Sequence, residues 1–339
     1  MKKRISVVTP CFNEAANVSE LHARIRDVFA ALPAYEYEHL FVDNASTDDT
    51  VERVKALAAE DRRVKLIVNA RNFGHVRSPV HGMLQATGDA VVLMASDLQD
   101  PPELIRAFVE QWERGYKVVL GIKTQTTESH VMRFVRRCYY DLVCRLSEVD
   151  LARDNTGFGL YDRAVMDVLA RIDDPYPYLR GLVSDIGFEA ARIPFVKPPR
   201  KRGITKNNFY TLYDLAMLGI TSHSKVPLRL AAMLGFATSG LSLLVALAYL
   251  VAKLLLWNEF QLGFAPLVIG LFFFSSVQLF FIGVIGEYVG AIHTQVLKRP
   301  LVVEKERVNF EETPGGATAS ERLPGPRRLE EDRWRADAG

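Results

Sequence analysis

The stretch VVLMASDLQDPPEL, Val91 to Leu104, joins an apolar strand-like segment to two prolines and a predicted helix. Proline is common in the first turn of a helix, so the chain changes from strand to helix within a few residues. Between the two elements lie three oxygen-bearing side chains, those of Asp97, Gln99 and Asp100. Since α/β sheets bind ligands at the carboxyl ends of their strands, the stretch indicates an α/β fold. Its turn is either a helix start or a metal site.

The same alternation of strands and helices continues on both sides of this stretch. Residues 14–32 and 48–60 predict helices, and five further segments predict strands: RISVVTP, EHLFVDN, VKLIVN, DAVVLMAS and YKVVLGI. Repeated βα units are typical of a doubly wound sheet with helices on both faces. The sequence therefore predicts an α/β fold with a mostly parallel sheet.

Polar clusters follow three of the predicted strands, in the segments PCFNE, DNASTDDT and SDLQD. Asn13, Asp48 and Asp100 could each simply begin the helix that follows. However, the carboxyl ends of parallel strands meet at one edge of the sheet, where ligands bind. Three clusters at that edge favour a shared ligand over three unrelated caps. A dinucleotide is disfavoured, because no GxGxxG follows the first strand.

Composition limits the classes of function. The chain has 339 residues and a formal net charge of +2, which argues against a strongly basic nucleic-acid-binding protein. Its three cysteines, Cys11, Cys138 and Cys144, form no CxxC pair and no cluster with histidine. We interpret them as reduced thiols of a cytosolic compartment.

Two apolar segments near the C-terminus dominate the organisation of the chain. Residues 234–257 contain one charge, Lys253, and residues 263–286 contain none. Because roughly 20 apolar residues span a bilayer as a helix, the sequence predicts two transmembrane helices, over 230–257 and 263–290. Only a short loop separates them, so they form a hairpin with both flanks on one side of the membrane.

The charges around the hairpin predict its orientation. The loop carries only Glu259, whereas the flanks carry four basic residues: Lys225, Arg229, Lys298 and Arg299. The positive-inside rule then places the α/β domain, residues 1–205, in the cytoplasm at the cell membrane. Residues 206–229 predict amphipathic helices in contact with membrane lipid, with Phe209 and Tyr210 at headgroup depth. Residues 291–339 form a cytoplasmic tail, predicted to be disordered after about residue 308.

The ordered motifs SVVTPCFNEAANV, VDNASTDDT, NARNFGH and ATGDAVVLMASDLQDPPEL resemble those of family 2 glycosyltransferases with the GT-A fold. With the paired spans, they are similar to the polyprenyl-phosphate glycosyltransferases in particular, over about residues 4–305. The resemblance implies inverting transfer of a sugar from a nucleotide-diphosphate sugar, with UDP preferred, to undecaprenyl or dolichyl phosphate. It also implies a Mg²⁺ or Mn²⁺ cofactor and a homo-oligomer.

The resemblance assigns roles to residues of this sequence. Asp97 is the candidate catalytic residue, and it binds the metal together with Gln99. The nucleotide is bound by six residues: Pro10, Asn13, Glu14, Asp43, Ser46 and Asp48. Basic residues bind the phosphates and the acceptor: Arg133, Arg200, Arg202 and Lys206.

Two departures from the family pattern bear on the mechanism. Ala95 stands where the family has the first aspartate of its metal motif, and Gly157 and Gly159 replace an aspartate and an arginine of a DFR segment. No catalytic base therefore carries over to that site. A phosphate nucleophile has a second pKa of about 6 and is largely ionised at neutral pH. It needs positioning and charge neutralisation more than deprotonation.

Two other functions stay open from the sequence. One is a processive polysaccharide synthase, although the only echo of its QxxRW signature, EEDRW at residues 330–334, lies in the tail. The other is a membrane-tethered protein that binds a nucleotide sugar without turnover, which Ala95 and Gly157 would explain.

Overall fold

A single sheet of eight strands forms the centre of the protein in a computed structural model that describes residues 2–124, 155–196, 198, 226–255 and 264–310. The strands are β1 (Lys3–Cys11), β2 (Tyr35–Asp43), β3 (Val64–Asn69), β4 (Ala90–Leu93), β5 (Val118–Lys123), β6 (Asn155–Asp162), β7 (Ala190–Phe195) and β8 (Glu304–Val308). Their order in the sheet is β7-β5-β6-β4-β1-β2-β3-β8.

The middle of the sheet is parallel, as the βα rhythm predicts. Strands β4, β1, β2 and β3 run in one direction and are almost continuously buried. A parallel strand is covered on both faces, and this explains why these segments read as unbroken apolar runs. Strand β6 departs from the pattern, because it lies antiparallel between β4 and β5. The predicted α/β fold is confirmed, with a mixed sheet.

Helices cover both faces of this sheet. They are α1 (Val18–Ala30), α2 (Thr50–Glu60), α3 (Gly74–Gln85), α4 (Ile105–Glu113), α5 (Arg163–Arg171) and α6 (Leu179–Ile186). Helices α1 and α4 pack on one apolar layer, and α3, α5 and α6 pack on the other. The helices bury both faces of the sheet. The two ends of its strands stay exposed, and one of these ends carries the polar clusters.

Two long apolar helices follow, α7 (Val226–Leu255) and α8 (Phe264–Val296). By length and composition both are able to cross a membrane. Their surfaces are apolar and exposed: Phe236 is 78% exposed and Leu255 is 77% exposed. A soluble protein rarely leaves so much contiguous apolar surface in water. Hydrocarbon is the environment that fits these helices.

The chain after α8 returns to the α/β domain. Strand β8 pairs antiparallel with β3, and the Ala70 N–H donates to the Val303 carbonyl over 2.8 Å. Beyond the strand, the Asn309 side chain donates to the carbonyls of Ala58 and Val64 over 2.7 and 2.9 Å. We call residues 297–310 the C-terminal strap. The sequence did not predict this strand, which lies inside the segment interpreted as a tail.

A partly buried cluster of polar side chains fastens the strap to α3. His81 Nε2 lies 2.5 Å from Glu304 Oε1, and Arg307 also pairs with Glu304. Burial by itself raises the pKa of Glu304, but the hydrogen bonds from His81 and Arg307 outweigh it and hold this pKa at about 2. Arg77 adds a hydrogen bond from its guanidinium to the Pro300 carbonyl, over 2.5 Å.

Substitution Glu304→Gln tests the contribution of this cluster. Glu304 is only 14% exposed and would lose its ionised hydrogen-bond acceptor for His81 and Arg307, so we expect the free energy of unfolding in detergent to fall by roughly 1–3 kcal/mol. Glu306→Gln is the matched control on the same strand. Its partner Lys55 is exposed, so the loss should stay below about 1 kcal/mol. Equal losses in a denaturant titration would contradict the assignment.

The same cluster predicts a pH dependence. The pKa of Glu304 is depressed in the folded state, so its contribution is present above the ordinary value of 4.5 and is lost as pH falls from there toward 2. The wild type should therefore lose more stability than Glu304→Gln between pH 5 and pH 3, values chosen to bracket roughly this window. Parallel stability curves for the two proteins would argue against it.

Candidate active site

A cleft of about 560 Å³ opens at the carboxyl ends of β1 and β4, between the first turns of α3 and α6. This is the edge at which the polar clusters were predicted to meet. Four of the predicted site residues or their neighbours line it directly: Pro10, Asn13, Glu14 and Asp97. The cleft therefore lies at the sheet edge where the sequence predicts a ligand site, and its use as that site stays a prediction.

The segment after β1 is held by the loop after β2. Asn13 has a left-handed backbone, with φ of 58°, a conformation that asparagine tolerates better than most residues. Its side chain accepts a hydrogen bond from the Thr47 N–H over 2.7 Å, and its own N–H donates to Ser46 Oγ over 2.9 Å. These bonds fix the wall of the cleft on which Pro10 and Glu14 lie.

Asp43, Ser46 and Asp48 lie behind this wall and support it. Asp43 is fully buried and accepts hydrogen bonds from both the N–H and the hydroxyl of Ser46, at 2.9 and 2.5 Å. Burial raises the pKa of Asp43, and the Ser46 bonds partly oppose that rise. Asp48 accepts from the N–H groups of Ala15 and Thr50 at 3.3 and 3.1 Å. Contact of these three residues with a nucleotide stays a prediction.

The turn after β4 places Asp97 inside the cleft. Leu98 adopts a left-handed φ of 59°, which reverses the chain, and the Gln99 N–H donates to Asp97 Oδ1 over 3.1 Å. Asp97 is only 7% exposed, so its carboxylate lies in a restricted environment. The Ala95 N–H donates to Asp100 Oδ2 over 3.0 Å, and this bond closes the turn on its other side.

The donor set around Asp97 suits a hard divalent cation that takes most of its ligands from elsewhere. No group of three or more histidine, cysteine or acidic side chains that could hold a metal occurs among the described residues. Gln99 uses its amide nitrogen to donate to the Pro198 carbonyl over 3.2 Å, which leaves its oxygen as the possible ligand. Mg²⁺ is commonly bound through one or two protein oxygens plus phosphates and water. Asp97 lines the cleft whereas Gln99 does not, and a metal shared by the two residues stays a prediction.

A buried amide on Asn44 organises the opposite wall, and sequence reasoning missed it. Asn44 Oδ1 accepts from the Phe73 N–H and the Asn69 amide, at 2.8 and 3.2 Å. Asn44 Nδ2 donates to Asn72 Oδ1 and the Gly74 carbonyl, at 2.9 and 3.1 Å. The segment NARNFGH was noticed only as a family motif. Its physical role is to form hydrogen bonds with the Asn44 side chain.

Two glycines of β6 stand where the family resemblance predicts an aspartate and an arginine, and the space around each glycine shows whether a side chain would fit. Gly157 lines the cleft with φ of +90°, and a Cβ built on it would meet only Leu93 Cδ2, at 4.0 Å. A Cβ on Gly159 would lie 2.4 Å from the Val119 carbonyl oxygen. Position 159 has no room for a side chain, whereas position 157 has room but an unfavourable backbone.

The structure does not describe the remaining predicted site residues, and two residues that were not predicted line the cleft. The proposed phosphate-binding and acceptor-binding residues Arg133, Arg200, Arg202 and Lys206 lie outside the described residues, as do residues 206–225 of the predicted amphipathic helices. In contrast, His75 and Arg180 line the cleft. The sequence does not point to either residue, because neither belongs to a recognisable spacing.

The described residues combine an α/β sheet, a polar cleft at the strand ends and two apolar helices long enough to cross a membrane. Residues 6–163 match the family described as glycosyl transferase family 2. An uncharacterised glycosyltransferase of Bacillus subtilis is 35% identical over 90% of this chain and 94% of its own length. The chain belongs to glycosyl transferase family 2 and is a glycosyltransferase.

Further relatives share nearly the full length. A bactoprenol glucosyl transferase of Shigella phage SfII is 32% identical over 89% of this chain and 98% of its own. Among solved structures, the mannosyltransferase of Pyrobaculum calidifontis, in complex with GDP-mannose and Mn²⁺, shares 16% identity over 88% of each chain with a TM-score of 0.45.

The two β6 glycines make a paired prediction. Gly157→Ala should cost roughly 1–2 kcal/mol, the penalty of a left-handed backbone for an L-residue with free space around it. Gly159→Ala should cost more, because the new methyl group collides with the β5 backbone and the strands must separate. Denaturant unfolding of the two purified variants measures the difference. A larger loss at position 157 would contradict this account of the strand.

Proposed function

We propose that this glycosyltransferase moves a sugar from a nucleotide-diphosphate sugar, with UDP as the preferred nucleotide, to a polyprenyl phosphate at the cytoplasmic face of the membrane. The water-soluble donor enters the cleft from the cytoplasm, and the lipid phosphate arrives from the bilayer. The product is a lipid-linked sugar with inverted anomeric configuration.

One observation carries this proposal: the loop between α5 and α6 joins the cleft to the end of an apolar helix. Lys298 Nζ lies 3.2 Å from Asp173 Oδ2, just after α8, and Gln295 donates to Asp174 over 2.8 Å. A few residues later, Pro177 and Tyr178 of the same loop line the cleft. A site beside the end of a membrane-spanning helix suits an acceptor held in the bilayer.

The relatives support the acceptor class. The phage proteins named bactoprenol glucosyl transferases match this chain over both the α/β domain and the apolar helices, and the alignment covers 98% of the SfII protein. Bactoprenol is a polyprenyl lipid, so we extend the acceptor to this chain. The preference for UDP rests on the family resemblance alone.

The reaction needs little acid–base chemistry from the protein. A phosphate oxygen of the acceptor attacks the anomeric carbon, and the bond from that carbon to the diphosphate oxygen breaks. The electron pair leaves with the nucleoside diphosphate, so no proton has to move when the acceptor is a dianion. The enzyme gains rate by holding the two substrates in line and by neutralising the leaving group.

The residues of the chain divide this work. Pro10, Asn13 and Glu14 form the nucleotide side of the cleft. Asp97 and Gln99 would hold Mg²⁺ or Mn²⁺, which when bound neutralises charge on the departing diphosphate. The positive flanks of the apolar hairpin support the cytoplasmic orientation. The exposed apolar faces of α7 and α8 are suited to pack against further copies of the chain in a homo-oligomer.

A transfer assay with purified full-length protein tests the proposal. The mixture contains Mg²⁺ or Mn²⁺, undecaprenyl or dolichyl phosphate, and a panel of UDP- and GDP-sugars. We expect a lipid-linked sugar with one UDP-sugar, and a loss of about 100-fold or more in kcat for Asp97→Asn, since transition-state charge stabilisation is removed. The exposed Asp167 of α5 supplies the control variant Asp167→Asn, which should keep full activity.

The same assay separates the rival functions. Chain-length analysis of the product would reveal a polymer if the enzyme were a processive synthase. Donor binding without product, for every donor and both lipids, would favour a protein that binds nucleotide sugars without turnover. Either result would overturn the proposal.

Restoring the missing carboxylate makes a second test. Ala95 lines the cleft near Asp97, so Ala95→Asp adds an oxygen ligand of the type that hard cations prefer. We expect the Mn²⁺ concentration for half-maximal activity to fall several-fold, in the way that extra charged ligands raise cation affinity. Ala95→Asn adds a similar volume without the charge and should have a smaller effect. An unchanged metal requirement in both variants would argue against a metal at this turn.

A further inference from the structure

The first turn of α6 forms one wall of the cleft. Four consecutive residues of this wall line it: Pro177, Tyr178, Leu179 and Arg180. Helix α6 starts at Leu179, and the Tyr178 side chain makes no capping hydrogen bond to it. The first N–H groups of a helix have no intrahelical acceptor and carry a partial positive charge. This wall therefore presents both a helix start and an arginine.

Arg180 is the only lysine or arginine among the described residues that line the cleft. Its charge acts inside the cleft: burial lowers the pKa of His75 on the opposite wall, and the charge of Arg180 lowers it further. Both effects favour the neutral form of His75. Two acidic side chains, those of Glu14 and Asp97, line the same cleft.

The position of this wall indicates which substrate it faces. The loop that leads into α6 contacts the end of α8 through Asp173 and Asp174. Asp97 and the nucleotide side of the cleft belong instead to the turns after β4 and β1. Arg180 thus belongs to the cleft wall whose preceding loop contacts the end of α8, and we expect a lipid headgroup to enter from there.

We propose that Arg180, together with the first turn of α6, binds the phosphate group of the membrane-borne acceptor. The inference rests on the proposed function and adds the residue that recognises the nucleophile. An arginine fork makes two parallel hydrogen bonds to phosphate oxygens, and a helix start adds backbone donors. Both would leave the remaining phosphate oxygen directed at the donor sugar.

The first experiment measures binding without turnover. Farnesyl phosphate and farnesol differ only in the phosphate group, and binding of each to the full-length protein in detergent is measured by calorimetry in the absence of donor. We expect the wild type to prefer the phosphate form by 10-fold or more, in line with roughly 1.5–3 kcal/mol for a charge-assisted contact. Arg180→Gln should lose this preference, and Arg180→Lys should keep part of it.

A matched control distinguishes the site from general charge effects. Arg114 is exposed in the turn before β5, at the opposite end of the sheet. Arg114→Gln removes the same charge from the protein and should leave the preference for farnesyl phosphate intact. Thermal unfolding of both variants checks that neither has lost its fold, so that a loss of binding in Arg180→Gln is assigned to the contact.

The outcomes separate this inference from the proposed function. If the wild type prefers the phosphate and Arg180→Gln still does, the inference is wrong while the acceptor class stands. If Arg180→Gln weakens binding of the UDP-sugar measured without acceptor, Arg180 contacts the donor diphosphate and the assignment to the acceptor is wrong. If the wild type shows neither a phosphate preference nor transfer, both the proposed function and the inference that rests on it are wrong.

Steady-state kinetics supply the final check. Arg180→Gln should raise KM for the polyprenyl phosphate by 10-fold or more at saturating donor, with KM for the UDP-sugar changed less than 2-fold. A purely structural defect would lower activity without this separation of the two substrates, and that result would also overturn the inference.

Discussion

The catalytic edge of this protein depends on one buried amide. Asn44 fills all four of its hydrogen-bonding positions, with two bonds accepted and two donated. Three of its four partners, Phe73, Asn72 and Gly74, lie in the loop that begins α3, and a buried polar group that loses a partner costs about 1–3 kcal/mol. The loop is therefore fixed to the end of β2. This connection sets the position of the α3 wall of the cleft.

Helix α3 connects that constraint to the C-terminal strap. Its first turns face the cleft, with His75 and Ser78 among the lining residues. Another face of the same helix holds the C-terminal strap, through Arg77 and His81. The twelve residues of α3 therefore contact both the cleft and the strap, which continues the chain from α8. The soluble and apolar parts of the chain thus share a rigid element.

The sequence predicts those features that depend on interactions between residues close together in the chain. Strands β1 to β5 and the clusters at their ends are local patterns of apolar runs and helix starts, and these predictions are confirmed for the sheet. Strand β8 reads EKERV, four charges and one valine, so only its pairing with β3 makes it a strand. Arg180 likewise gains its significance from a loop that the fold brings to the cleft. Periodicity cannot reveal either one.

The two departures from the family pattern share one physical consequence. Ala95 and Gly157 both line the cleft, and by the family resemblance each stands in place of a carboxylate; in the proposed reaction this space accepts two anionic groups, a diphosphate and a lipid phosphate. Like charges a few ångströms apart in a partly buried site repel strongly. With fewer fixed carboxylates, the cleft can admit both phosphates with less help from a cation. The residues that matter most for such a reaction are then the hydrogen-bond donors and cations that hold the phosphate oxygens in place. The missing carboxylates lower the electrostatic repulsion in the cleft, and the reaction does not need them as a base.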